Sequence, residues 1–332
     1  MMADTTSPSP LVLTRWYIDT RPLTSTTTTL PLLSTLQAAD QTAVQNFYHL
    51  KDRHMSLASN LLKYLFVHRT ARVPWSEIVI SRTPDPHRRP CFVHPQPNKK
   101  GNGEGEVAEP INVEFNVSHQ ASMVALAGTV MPPPSQQTEQ QKAKPEVGID
   151  ITCVNERPNR NNEPRTLGSL FDYIDIFAEV FSAKEISDMK SLHGCPSPSS
   201  TETLVNYGYR LFYTYWALKE AYIKMTGEAL LAPWLRELEF SNVVAPSKGN
   251  EEGAFGEPYT GVKTTLRGDV VSDVRIEVVA LEGDYLFATA ARGGRIGSSN
   301  REEGEDPWMP FQKLDIERDI RPCATGQCTC LS

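Results

Sequence analysis

No stretch of the 332-residue chain reaches the ~18 uninterrupted apolar residues of a membrane span. The first thirty residues contain no basic region followed by an apolar run, so an export signal is not expected. An excess of basic charge is also lacking. With 33 basic against 40 acidic side chains the net charge is −7, which speaks against a nucleic-acid binder, whose footprint is a basic domain. Cysteine is sparse: Cys91, Cys153 and Cys195 are scattered, and Cys323, Cys328 and Cys330 crowd the end of the chain. That is no disulfide framework, and a reducing cytoplasm is the expected compartment. Prenylation requires cysteine fourth from the end, and Thr329 stands there. Neither lipidation nor metal binding is expected of this tail.

What is present suffices for a folded core, since 39% of the residues are hydrophobic. Thr14 to Ile18 reads as a first strand, with residues 1–10 and the threonine run 24–29 irregular. From Asp40 the apolar residues Val44, Phe47, Tyr48, Met55, Leu57, Leu61, Leu62, Leu65 and Phe66 recur at three and four, giving two helices. Residues 84–110 are rich in proline and glycine and must contain a loop. Ile111 to Val117 and Ser122 to Gly128 read as paired strands, and the low-complexity segment Met131 to Lys144 separates two halves. The second half opens with strand Val147 to Thr152, passes helices between Leu167 and Leu192, and contains the long helix Leu204 to Thr226. It closes with a hairpin, Val274 to Ala280 with Tyr285 to Ala291. The expected division is an N-terminal subdomain 1–140, a C-terminal subdomain 145–292, and a flexible linker with a tail over 293–332.

From Leu211 to Met225 the only charged residues are Lys219, Glu220 and Lys224, within an arc of roughly 140° on an otherwise apolar helix. They are expected to share one cleft. Glu220 and Lys224 form either an i,i+4 ion pair, worth only ~0.2–0.5 kcal/mol on an exposed helix, or part of a site, because burying such charges calls for a metal, a phosphate or a catalytic reason. In the strand 147–152, Asp150 and Thr152 point away from Val147, Ile149 and Ile151. Asp150 is either a strand-end residue accepting backbone hydrogen bonds or a metal ligand. Phe115-Asn116-Val117-Ser118-His119 ends a strand in polar side chains.

Phe115 to His119, Gly148-Ile149-Asp150 and Trp216-Ala-Leu-Lys219-Glu220-Ala-Tyr-Ile-Lys224 resemble, in order and separation, the three signature motifs of the Sfp-type 4′-phosphopantetheinyl transferases. The chain as a whole looks like the fungal broad-range members. The resemblance implies an α+β fold of two similar α/β subdomains in a pseudo-two-fold arrangement, with the active site in the cleft between them. It further implies transfer of the phosphopantetheine arm of coenzyme A to a serine of apo carrier domains in polyketide synthases, nonribosomal peptide synthetases and aminoadipate reductase.

By the same resemblance Asp150 and Glu220 hold Mg²⁺, although oxygen ligands also accept Mn²⁺. Glu220 acts as general base, and Lys224 assists departure of adenosine 3′,5′-bisphosphate. Lys219, Lys224, Ser118 and His119 meet the coenzyme, together with Arg53 and with Arg89, which replaces a lysine of the family's Gly-Lys-Pro signature. Thr152 stands where many bacterial members carry a third acid, and water is expected to replace that ligand. A monomer is expected, with no nucleic-acid or membrane partner and a tail dispensable for catalysis. The competing readings are a catalytically silent coenzyme A or carrier-protein binding module and a metal-dependent phosphohydrolase.

Overall fold

The computed structural model describes residues 12–94, 111–131, 144–155, 165–196, 200–228, 232–249, 251, 253–297 and 306–332. Residues 1–10, and most of the loop tip before 110, of the segment 131–144, of the loop 155–166 and of the linker after 293, lie outside them. No helix among the described residues is long and apolar enough to cross a membrane.

The first half runs β1 (Thr14–Asp19), α1 (Arg21–Thr26), α2 (Ala38–Gln45), α3 (Leu50–Ala71), β2 (Val79–Arg82), β3 (Pro90–Val93), β4 (Asn112–Gln120) and β5 (Met123–Met131). The threonine run is not wholly irregular: its first residues close α1, which Pro22 opens by fixing φ in the first turn. Strand β3 lies within the segment 84–110, expected to contain a loop, and pairs with β2. Strands β4 and β5 join through Ala121 and Ser122, at φ 48 and 70, as the twist of a two-residue hairpin requires.

The second half runs β6 (Glu146–Cys153), α4 (Leu167–Ile176), α5 (Ala183–Lys190), α6 (Thr201–Thr226), β7 (Leu238–Ser241), β8 (Lys263–Leu266), β9 (Asp269–Val270), β10 (Val274–Leu281) and β11 (Tyr285–Arg292). Helix α6 begins at Ser200, whose hydroxyl accepts from the amide of Thr203, and ends at Gly227 in the left-handed region, φ 80. After it the chain adds β12 (Gln312–Lys313), a π-helical turn Ile316–Ile320 and α7 (Arg321–Ala324).

Two sheets carry the architecture, ordered β12-β1-β5-β4 and β10-β11-β6. Each is backed by one long helix. Alternation along β5 sends Val124 and Leu126 to the core under α3, and Met123, Ala125 and Ala127 to a core between the sheets. Val147, Ile149 and Ile151 of β6 enter that same middle layer, while Leu218, Ala221 and Met225 of α6 pack in a third core with Val278 and Ala288. The arrangement is α+β, with two helix-on-sheet halves back to back.

Of the region 293–332, expected to be a flexible linker and a tail, the described residues 306–332 pack on the body of the protein. Strand β12 pairs in parallel with β1, Trp308 is 4% exposed in the middle layer, and Leu314, Ile316, Ile320 and Cys323 are buried beside α3. Hydrophobic burial decides this: the sequence leaves the outer edge of β1 and the end of α3 uncovered unless the tail returns to them.

Candidate active site

The site forms where the edge of one sheet meets the other. Strand β6 does not extend the first sheet by backbone pairing. Instead its amides at Ile149, Ile151 and Cys153 donate to the side-chain oxygens of Asn116, Ser118 and Gln120 on β4, at 3.4, 3.2 and 3.2 Å. Three polar residues at spacing two thus satisfy three amides at spacing two. On the opposite face of β6, Gly148 allows α6 to lie directly on the strand. A β-carbon there would fall 2.0 Å from the Ala221 carbonyl oxygen and 2.4 Å from the Met225 amide nitrogen. This approach brings the last turns of α6 over Asp150.

Asp150 is 5% exposed. Its Oδ1 accepts from Lys224 Nζ at 2.6 Å and from the Ser118 hydroxyl at 3.1 Å, and its Oδ2 accepts from the Thr152 hydroxyl at 2.9 Å. Lys224 also donates to Ser118 Oγ at 2.9 Å. Glu220, one turn before Lys224, is half-buried, and its carboxyl is pushed up to about 7, first by burial and then by the Asp150 carboxylate, against the pull of Lys224. Two carboxylates that repel one another in a cleft beside a single lysine are a donor set suited to a hard cation. His119 lies exposed at the rim. Surrounding protein, and then the Lys224 and Lys63 cations, hold its ring below the ordinary range.

Comparison with known proteins supplies the identity. Residues 22–131 match the model of the 4′-phosphopantetheinyl transferase N-terminal domain, and residues 146–288 match that of the 4′-phosphopantetheinyl transferase superfamily. The chain is 66% identical to "4′-phosphopantetheinyl transferase NpgA" of Emericella nidulans, with all of both chains covered. It is 56% identical to "4′-phosphopantetheinyl transferase A" of Aspergillus fumigatus, over 96% of each chain. A more distant relative, 25% identical over 77% of this chain and 67% of its own, is the "L-aminoadipate-semialdehyde dehydrogenase-phosphopantetheinyl transferase" of Rattus norvegicus. The chain belongs to the 4′-phosphopantetheinyl transferase family.

Within this transferase, Asp150, Glu220, Lys224, Ser118 and His119 gather where β4, β6 and α6 meet, and the Thr152 hydroxyl donates to Asp150. Lys219 does not join them. A step of 100° per residue sends it to the far side of α6. There its side chain is fully buried, with Nζ 3.0 Å from Glu185 Oε2, 3.0 Å from the Leu235 carbonyl and hydrogen-bonded to that of Leu238. Glu185 is itself held by the amides of Ser182 and Phe240. The shared cleft expected for the three charges of α6 therefore holds only two of them, because the buried ammonium finds its acceptors between α5 and β7.

Arg89 is engaged structurally: its Nη2 pairs with Glu114 and donates to the Val147 carbonyl at 2.9 Å, and its side chain packs at Gly227, just past the end of α6. Its Nε is buried and has no hydrogen-bond partner among the described residues. Arg53 stands at the start of α3, with Nε donating to the Phe47 carbonyl at 2.6 Å. Lys63, on α3, adds a cation whose charge acts on His119 and that no motif marks. It is the only charged side chain between His54 and His68, in a stretch made mostly of leucine, tyrosine, phenylalanine and valine, and burial pushes it down to about 8.

Proposed function

We propose that this cleft binds coenzyme A with a divalent cation and moves the 4′-phosphopantetheine arm onto the serine hydroxyl of an apo carrier domain. The observation that carries the reading is the juxtaposition of Asp150, Glu220 and Lys224, with Glu220 poised near neutrality. Asp150 and Glu220 would hold the cation, Mg²⁺ or Mn²⁺, which when bound neutralises charge on the pyrophosphate. Ionised Glu220 accepts the proton of the carrier serine as its oxygen forms a bond to phosphorus. The bond to the bridging pyrophosphate oxygen breaks, and adenosine 3′,5′-bisphosphate leaves. Lys224 stands beside Asp150, where an ammonium stabilises the departing phosphate. His119 at the rim, with Arg53 and Lys63 on α3, supplies further cationic or hydrogen-bonding groups for the coenzyme's phosphates. Ser118 orients Asp150 and Lys224.

The relative named for aminoadipate-semialdehyde dehydrogenase supports a carrier domain of that reductase class among the acceptors, beside polyketide and nonribosomal peptide carriers. The test is incubation of the protein with coenzyme A, Mg²⁺ and purified apo carrier domains of each class, read by intact mass. The expected result is a phosphopantetheine adduct that requires metal and disappears in Asp150→Ala. A carrier that keeps its apo mass with active, folded enzyme preparations and metal present refutes the reading for that class.

A further inference from the structure

The tail brings together four side chains that the transfer reaction does not use. His68, near the end of α3, meets Cys323 on α7 and Cys328 and Cys330 just beyond it, and the four ligand atoms all lie within 4.8 Å of one another. None of the cysteines is disulfide-bonded: Cys323 Sγ and Cys330 Sγ are 3.7 Å apart. That separation is close to the edge of a tetrahedron with metal–sulfur bonds of about 2.3 Å, which is about 3.8 Å. His68 is already oriented as a ligand. Its Nδ1 lies 2.8 Å from the Val73 carbonyl, which only accepts, so the ring proton sits there and the lone pair of Nε2 faces Cys328 Sγ at 3.1 Å. A carbonyl holding the far nitrogen is the usual outer-shell partner of a metal-bound histidine.

The loop between the sulfurs is equally ordered. Gly326 takes φ 72, and the amides of Gln327 and Cys328 both donate to the Pro322 carbonyl, at 2.7 and 3.0 Å, folding the chain back so that Cys328 returns to Cys323. Arg69, whose guanidinium donates to the Asp319 carbonyl at 2.7 Å, lies beside Cys323 and offsets the negative charge that three thiolates would bring.

We propose that His68, Cys323, Cys328 and Cys330 form a structural zinc site that fastens the C-terminal segment to α3. Three thiolates and an imidazole are soft donors that favour Zn²⁺ over Mg²⁺ or Ca²⁺ and, filling all four positions, leave no place for substrate. The site is separate from Asp150 and Glu220, whose oxygen donors suit a hard cation.

The test uses full-length protein expressed with zinc, purified under reductant, and passed through chelator to strip weakly held metal. Elemental analysis is expected to find about one zinc per chain, and cobalt replacement to give a thiolate-to-metal charge-transfer band that oxygen ligands cannot produce. Cys328→Ser combined with Cys330→Ser alters the two half-buried ligands and spares the two buried ones, His68 and Cys323. It is expected to weaken zinc binding beyond the roughly 10–100-fold typical of losing an outer-shell partner, and to abolish the cobalt band. Cys91→Ser, outside the cluster, retains both. Folded wild-type protein that holds no zinc and gives no cobalt–thiolate band overturns the proposal. So does zinc content undiminished in the double variant, or a Cys323–Cys330 disulfide found by mass in the reduced preparation.

Discussion

Glu220→Gln is expected to make the metal-free transferase more stable while removing its activity. Burial and Asp150 raise the carboxyl from an ordinary 4.5 to about 7. A carboxyl whose folded-state value lies above its unfolded one favours the fold fully below the unfolded value, and that contribution is lost as the pH rises through the folded one. Between 4.5 and about 7 the unfolded chain is ionised and the fold must protonate the group or bear its charge. Above about 8 the whole penalty is present. The rise corresponds to roughly 3 kcal/mol, an upper limit because the side chain is only half-buried. Glutamine removes the charge and keeps the size, so the gain should approach about 1–3 kcal/mol near pH 8.5 and fall below about 1 kcal/mol near pH 5. Denaturant unfolding in chelator at the two pH values measures this, and transfer to an apo carrier measures activity. Added Mg²⁺ should then stabilise the wild type and leave the variant unmoved. A variant no more stable than wild type at the higher pH, or one that still transfers, refutes the pairing of Glu220 with Asp150 as a destabilised metal and proton site.

Other perturbations separate the roles of neighbouring groups. Lys224→Ala is expected to lower turnover more than coenzyme affinity, by about 10²-fold or more in single-turnover assays, since it removes a charge beside the breaking bond. Lys219→Met should leave coenzyme affinity nearly unchanged but lower stability by about 3–5 kcal/mol, because it strands the buried Glu185 carboxylate, and Glu185→Gln in the same chain should restore part of the loss. Gly148→Ala forces a methyl against the backbone of α6 and should cost roughly 1–3 kcal/mol while moving Asp150 from Lys224, visible as lower melting temperature and lost transfer. Truncation after Arg292 removes Trp308, Leu314, Ile316 and Ile320, each worth roughly 1.5–3 kcal/mol when buried, and should leave an unfolded or aggregating protein rather than an active core.

Much of the site was legible because its chemistry contradicts its surroundings. Asp150 in a strand of valines and isoleucines, and Glu220 and Lys224 on an apolar helix, violate the local pattern, and such violations concentrate at functional sites. The same rule misplaced Lys219. A charge on a buried helix announces that it has a partner, and only the fold reveals whether that partner is a ligand or, as here, a carboxylate held between α5 and β7. By local pattern the polar residues of β4 read as a strand end. Their second use, as side-chain acceptors for the amides of β6, depends on two strands 33 residues apart aligning in register, which no local pattern encodes.

The place of the tail is not legible for a related reason. Trp308, Phe311, Leu314 and Ile316 are too few and too widely spaced to build a core of their own, so by local criteria they belong to a dispensable appendage. Their value lies in what they cover. Leu13 bridges Trp308, β12 pairs with β1, and Arg275 is tied to Asp306, so the last residues complete a sheet edge that the first strand leaves open. Arg15, on β1, pairs with Glu277 on β10 and lies over the rings of Trp308 and Phe311, which joins the tail to both sheets at once. The cleft depends on the register between those sheets, since Asp150 and Ser118 come from opposite sides of the junction. A segment that supplies no group to the chemistry therefore still fixes the distance across which the chemistry is done. Mutations at Arg15 or Trp308 should accordingly lower transfer through loss of stability, with KM for coenzyme A unchanged in the fraction that remains folded.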